Sequence, residues 1–138
     1  MASVDFLDQL ADYLDDQGLG HSQTDPVDIF VGLVPGDAPD DCIALLGLIG
    51  STQPNKYIPE FIYPRFQVYV RSANYLDGAD KLRQVREALH DKLAIELQNF
   101  YVLYIQAEQD GYPIGEDTMG LSEFTINFTA QIRHVDSV

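Results

Sequence analysis

The stretch Arg65-Phe66-Gln67-Val68-Tyr69-Val70-Arg71 alternates without a break. Phe66, Val68 and Val70 fall on one face and Arg65, Gln67, Tyr69 and Arg71 on the other, the period of a strand that is dry on one side and wet on the other. Residues 121–134 repeat the pattern over a longer span: Phe124, Ile126, Phe128, Ala130 and Ile132 face inward, against Thr125, Asn127, Thr129, Gln131 and Arg133. Two strands this one-sided require an apolar cover on one face, and in a chain with room for a single core that cover is helical.

Two segments can supply it. Residues 75–93 carry Leu82, Val85, Leu89 and Leu93 as a narrow stripe between charged residues, as a helix lying across a sheet does. Residues 4–17 place Leu7, Leu10, Ala11 and Leu14 at helical spacing, with Ser3 as the expected cap and Gly18 as the expected stop. Asp15 and Asp16 sit at the negative end of this helix, where each costs roughly 0.3–1 kcal/mol, so they are read as a solvated outer face. The glycines of Gly18-Leu19-Gly20 follow a helix, whereas a phosphate-cradling loop follows a strand.

Residues 28–34 read as a strand that enters a hairpin through the turn-rich run 35–41, with 42–49 as its partner. The partner starts Cys42-Ile43-Ala44-Leu45-Leu46 without alternation, so it is expected to be central and covered on both faces. Residues 101–108 form a further strand. The order helix, hairpin, strand, helix, strand, strand predicts one α+β domain spanning 1–138: a mostly antiparallel sheet of about five strands, with two main helices packed on one face. Two connections are long for such a domain, 50–63 and 109–120.

Composition narrows the function. The chain has 138 residues, 46% of them hydrophobic, and a net charge of −14 from 22 acidic and 8 basic residues. A polyanion is repelled from most of such a surface, so ordinary nucleic-acid binding is disfavoured. The acidic start lacks the features of a secretory leader, and no apolar run reaches the ~20 residues that cross a bilayer. The expectation is a protein made in the cytoplasm and not bound to membrane.

Chemistry finds little purchase. Cys42 follows Asp40 and Asp41 and precedes Ile43, so it reads as a small core residue with a raised pKa. His21, His90 and His134 lie in unrelated settings, none spaced as a metal pair. Asp37, Asp40 and Asp41 lack the alternating ligands and closing glutamate of a calcium loop, so they read as an acidic turn. No catalytic residue, metal or cofactor is expected. The first long connection instead carries Tyr57, Ile58, Phe61 and Ile62, and the second carries Tyr112, Ile114 and Met119 among Asp110, Glu116 and Asp117. Such apolar side chains bury either against their own core or against a partner.

Several stretches together resemble the tail terminator proteins of long-tailed phages, often labelled minor capsid proteins. They are Phe6-Leu7-Asp8-Gln9-Leu10, Asp28-Ile29-Phe30-Val31-Gly32 and Pro39-Asp40-Asp41-Cys42-Ile43-Ala44-Leu45. Tyr63 through Arg71 is the most characteristic, and Leu82-Arg83-Gln84-Val85-Arg86-Glu87-Ala88-Leu89-His90 and Glu123-Phe124-Thr125-Ile126-Asn127-Phe128 complete the set. The resemblance covers nearly the whole chain by order and pattern. It implies a virion protein at the head–tail junction: a hexameric ring that caps the tail tube, meets the head connector and lets DNA pass without specific binding. Candidate subunit or tube contacts are then Tyr57, Ile58, Phe61, Ile62, Tyr112, Ile114 and Met119. The candidate acidic lumen or rim is Asp37, Asp40, Asp41, Asp110, Glu116 and Asp117. A head-completion or neck protein of the same virion is the nearest alternative, and an acidic DNA-mimic inhibitor a more distant one.

Overall fold

A computed structural model describes residues 2–48 and 61–135. Helix α1 spans Ala2–Asp16 and helix α2 spans Tyr75–Leu89. Eight strands form one sheet: β1 (Ile29–Val31), β2 (Cys42–Gly47), β3 (Phe61–Ile62), β4 (Arg65–Ser72), β5 (Lys92–Glu96), β6 (Phe100–Ala107), β7 (Tyr112–Glu116) and β8 (Ser122–His134). The strand order is β1-β2-β4-β8-β6-β5, with β3 and β7 also paired to β8. The class is α+β as the sequence predicts, but the sheet has eight strands instead of about five and is mixed.

β8 is the spine. β4 pairs one edge of it from Ser122 to Thr129, and β3 continues along that edge at Ile132 and Arg133. On the other edge β6 pairs Phe128 to His134, and β7 takes Ser122 to Thr125. In register, Val70 faces Phe124, Val68 faces Ile126 and Phe66 faces Phe128. All six are buried, so the alternation read in 65–71 and 121–134 is the apolar floor of the core.

Both helices cover that floor. Phe6 of α1 meets Phe66 and Phe100 edge-on, each at 5.9 Å, and Phe66 stacks on Phe128 at 5.3 Å. Each fully buried large side chain of this kind contributes roughly 1.5–3 kcal/mol. α1 starts at Ala2, so Ser3 lies inside the helix and is not its cap. The helix stops as expected: Gly18 adopts φ 83°, and the amide of Leu19 donates to the carbonyl of Leu14, closing the last turn. Asp15 is not simply solvated, because its carboxylate accepts from the Ser22 amide at 3.0 Å and Asp12 accepts from the Ser22 hydroxyl at 2.7 Å, pinning the following loop.

α2 lies on Phe124 because Gly78 permits it; a Cβ there would come within 2.4 Å of that ring. Asn74 caps its start by accepting from the amides of Leu76 and Asp77. The helix was expected to reach residue 93 but ends at Leu89. His90 is extended, Asp91 turns through φ 59°, and the chain enters β5. Leu93 therefore leaves the apolar stripe and stands 70% exposed. A leucine four residues after Leu89 satisfies a helical pattern equally well from a strand that follows a tight turn.

The expected hairpin of 28–34 with 42–49 is also corrected. β1 does pair β2, but in parallel, Ile29 with Ile43 and Val31 with Leu45. A hairpin needs a short reversal, whereas the connection 32–41 runs back to the starting end of β2. Gly32 at φ 90° begins the return, and Arg71 fixes its end by donating to the carbonyls of Pro39 and Asp40. β2 itself is interior, with Cys42 through Leu45 buried on both faces as expected.

Candidate functional site

The face of the sheet opposite the helices is polar, and register sets its rows. Tyr69, Thr125 and Tyr112 align across three strands, Gln67 and Asn127 form the next row, and Arg65, Thr129 and Gln106 the one after. Arg65 holds Glu108 through two bonds of 2.7 and 2.8 Å, and Thr129 donates to the same carboxylate at 2.7 Å. The hydrogen bond from Arg65 keeps the Glu108 carboxyl below its ordinary pKa. Further along, Arg133 lies 5.5 Å over the Tyr101 ring. Burial, followed by its hydrogen bond to Glu123, pushes the Tyr69 phenol well above its usual value. The side-chain oxygens Oγ1 of Thr125 and Oδ1 of Asn127 are buried without a partner among the described residues. The described helices leave this face uncovered, and its own side chains knit it together.

One end of the sheet collects acid. Cys42, Arg71, Glu123 and Gly115 share a row, and Ser72, Ser122 and Glu116 share the next. That row brings Asp40 and Asp41, at the head of β2, to the same end as Glu116, Asp117 and Glu123, with α2 starting beside them. Asp41 accepts from the Ala73 amide at 2.9 Å. Asp117 shapes the β7–β8 turn, accepting from the amides of Met119 and Leu121. Four of the six expected acidic positions are thus brought together. Asp37 lies farther back on the connection 32–41, and Asp110 stands apart at the β6–β7 bend, 3.3 Å from the Arg86 guanidinium.

A cavity of about 360 Å³ opens at this end between the start of β2 and α2, lined by Asp28, Asp41, Cys42, Arg71, Asp77, Asp80 and Lys81. Burial pushes the Cys42 thiol up, away from the thiolate that nucleophilic chemistry uses. His90 is engaged elsewhere: its Nδ1 accepts from the Ala107 amide at 2.9 Å. His134 packs edge-on to Phe100. Among the described residues no group of His, Cys, Asp and Glu is arranged to hold a metal ion.

The candidate contact residues divide between the two edges of β8. Phe61 and Ile62 form β3, where Ile62 packs against the core and Phe61 is half-buried beside Arg133. Tyr57 and Ile58 lie outside the described residues. On the opposite edge, Tyr112 and Ile114 occupy β7, a strand within the connection expected to be a loop, and Met119 tips its turn at 82% exposure. β7 offers a backbone edge with no strand on it among the described residues. Beside it a groove of about 350 Å³ runs under α2, lined by Tyr75, Leu82, Pro113 and Phe124 and rimmed by Arg83, Arg86 and Asp110, the arginines already paired with Asp80, Glu87 and Asp110. The Nε of Arg86 is buried with no partner among the described residues. The sequence reading missed Leu33, which is 91% exposed just after β1 at the far edge of the sheet. Its signal was its place beside Gly32, where a strand ends and no core pattern continues.

A family model described as bacteriophage tail terminator protein matches residues 13–134. No curated protein matches. Among solved structures, a chain from the virion of a native gene transfer agent particle superposes with a TM-score of 0.59 at 11% identity, covering 76% of this chain and 78% of that one. That likeness is one of fold.

Proposed function

This chain belongs to the bacteriophage tail terminator family of virion structural proteins, and from that premise we propose that it closes the head-proximal end of a tail tube as a hexameric ring. It acts there as a single tail-terminator-like domain over 1–138, joining the tube to the head connector or neck protein while DNA passes through the centre. The family match carries this reading, and the geometry of the sheet edges supports it. The sheet has two opposite edges with no partner strand among the described residues, β1 on one side and β5 with β7 on the other. Edges of that kind join head to tail, and a head-to-tail contact repeated by rotation closes a ring.

The acidic end is the proposed lumen or rim, with Asp40, Asp41, Glu116 and Asp117 as its core and Asp37 as an outlying member. Negative charge there keeps passing phosphates from binding. The exposed Tyr112, Ile114 and Met119 are proposed contact residues, as are Phe61 and, outside the described residues, Tyr57 and Ile58. The role is structural, with no catalytic residue, metal or cofactor, and with the tube protein, the connector and copies of itself as partners.

A charge of −14 per chain opposes self-association until salt screens it or the tube organises it. Native mass spectrometry across a salt series, with and without purified tail tubes, tests the reading. The expected product is a closed six-membered ring of 15.5 kDa chains, roughly 93 kDa, favoured by salt or by tubes. A dimer under every condition would overturn it.

A further inference from the structure

Charge is not spread evenly over this molecule. On the sheet face opposite the helices, register places Arg65, Arg71 and Arg133 with Glu96 and Glu123, and the Arg65 ion pair adds Glu108. These are three of the 8 basic and three of the 22 acidic residues, none of them lysine or aspartate, so the described face is neutral and the net −14 comes from the rest of the chain. The helical side is the opposite: α1 carries Asp8, Asp12, Asp15 and Asp16 and no basic residue.

Towards the β5 edge the neutral face turns aromatic. One row across the strands runs Phe61, Arg133, Tyr101, Glu96, and the next runs Gln131, Tyr104, Leu93. Arg133 lies over the Tyr101 ring, and Leu93 at the edge stands 70% exposed.

We infer that this end of the sheet face, from Phe61 across Tyr101 and Tyr104 to Leu93, is the surface on which a second copy of the chain seats in the ring. Charge selects that occupant. Two chains of −14 repel wherever their acidic surfaces meet. Laid helices to helices, they set that charge against itself; laid on the neutral face, an acidic surface meets no excess of its own sign. The composition agrees, because interface cores favour tyrosine and arginine and exclude lysine and aspartate. A duplex in the lumen is the poorer occupant. Phosphates bind through unneutralised cations, whereas Arg65 is held by Glu108 and Arg71 by the carbonyls of Pro39 and Asp40. The patch supplies one half of a head-to-tail contact, and the neighbour presents a different surface to it, the arrangement that propagates around an axis.

This inference rests on the ring reading and names one of its surfaces. The test uses the full chain carrying Leu93→Cys, reacted with a maleimide before and after rings form at high salt. The unaltered chain is the blank, since Cys42 is 4% exposed. Leu93→Cys is expected to react roughly tenfold more slowly, or less, in the ring than in the monomer. In parallel, Leu93→Glu, which puts a charge where the contact must close, should lower the ring fraction roughly tenfold or more. Its monomer should keep the melting temperature of the unaltered chain. Gln17→Glu, the same charge step at the exposed end of α1, should leave the ring fraction within roughly twofold at high salt.

Rings in which Leu93→Cys stays as reactive as in the monomer, or rings from Leu93→Glu at the unaltered yield, overturn the contact and leave the ring reading standing. Equal weakening by Leu93→Glu and Gln17→Glu also overturns it, since that is a general effect of charge. If free rings form and Leu93→Cys is protected only after tubes or connectors are added, the patch belongs to another virion protein and the second copy is ruled out. Absence of any ring from the unaltered protein, at any salt and on tubes, removes the ring reading and this surface with it.

Discussion

The centre of the sheet and its β7 edge are both bonded to β8 and treat their side chains in opposite ways. In β4 and the facing part of β8 every second side chain is buried to within a few per cent, and both strands have a partner on each side. In β7 all five residues are exposed, and the register slips between Pro113 and Gly115. The lesson is that alternation in a sequence records burial on one face and not strand formation as such. A strand held only by backbone bonds to one neighbour leaves its side chains free of that period.

That contrast can be broken most sharply at its dry side. Phe128→Ala removes a ring stacked on Phe66 in the floor of the core. It should cost about 3–5 kcal/mol in denaturant unfolding, whereas Ile114→Ala on β7 should stay within about 0.5 kcal/mol. Equal losses at the two sites would mean that β7 is as deeply committed as the centre. Next in size is Gly78→Ala, which drives a methyl group toward the Phe124 ring. An expected loss of about 1–3 kcal/mol, measured the same way, would confirm that α2 is seated on the sheet by the missing side chain. Asn74→Ala removes the two bonds that cap α2 and should cost about 0.5–2 kcal/mol, visible as a lower melting temperature.

The smallest effect lies on the polar face and depends on pH. Glu108 is held below its ordinary pKa by Arg65, so its contribution is present above the usual glutamate range and is lost as pH falls through its folded value. Glu108→Gln should therefore narrow the stability gap to the unaltered chain as the solution is acidified. Tyr69 gives the opposite sign. Its phenol is raised, so its contribution is full at neutral pH and disappears as pH climbs past the ordinary tyrosine range. Thermal melts from acid to alkaline pH, on Glu108→Gln and on Tyr69→Phe, separate the two.

The same contrast explains what could be read from the chain in advance. The core strands, α1 and the start of α2 were legible because burial imposes a period on them. The parallel pairing of β1 with β2 was not, because direction is fixed by the path of 32–41 and by the grip of Arg71 on Pro39 and Asp40, neither of which leaves a pattern in β1. β5 was hidden by Leu93, which fits a helical stripe as well as a strand. At the candidate site, the acidic cluster was visible as composition, but only register shows that Asp41 and Glu116 share an end while Asp110 does not. Leu33 was signalled only by its place after Gly32, where β1 ends, and that signal does not show that nothing covers it.

The position of β8 in the sheet also sets a schedule. The set β1-β2-β4 and the pair β6-β5 share no strand pairing; they join each other, and β3 and β7 join the sheet, only through β8. Until residues 122–134 have left the ribosome, β1-β2-β4 and β5-β6 are separate sets, and β3 and β7 pair with neither. The sheet therefore closes only once β8 has emerged, and by contacts between distant segments, the kind that form slowly. A chain cut short before β8 leaves β1-β2-β4 and β6-β5 unjoined and has no closed core.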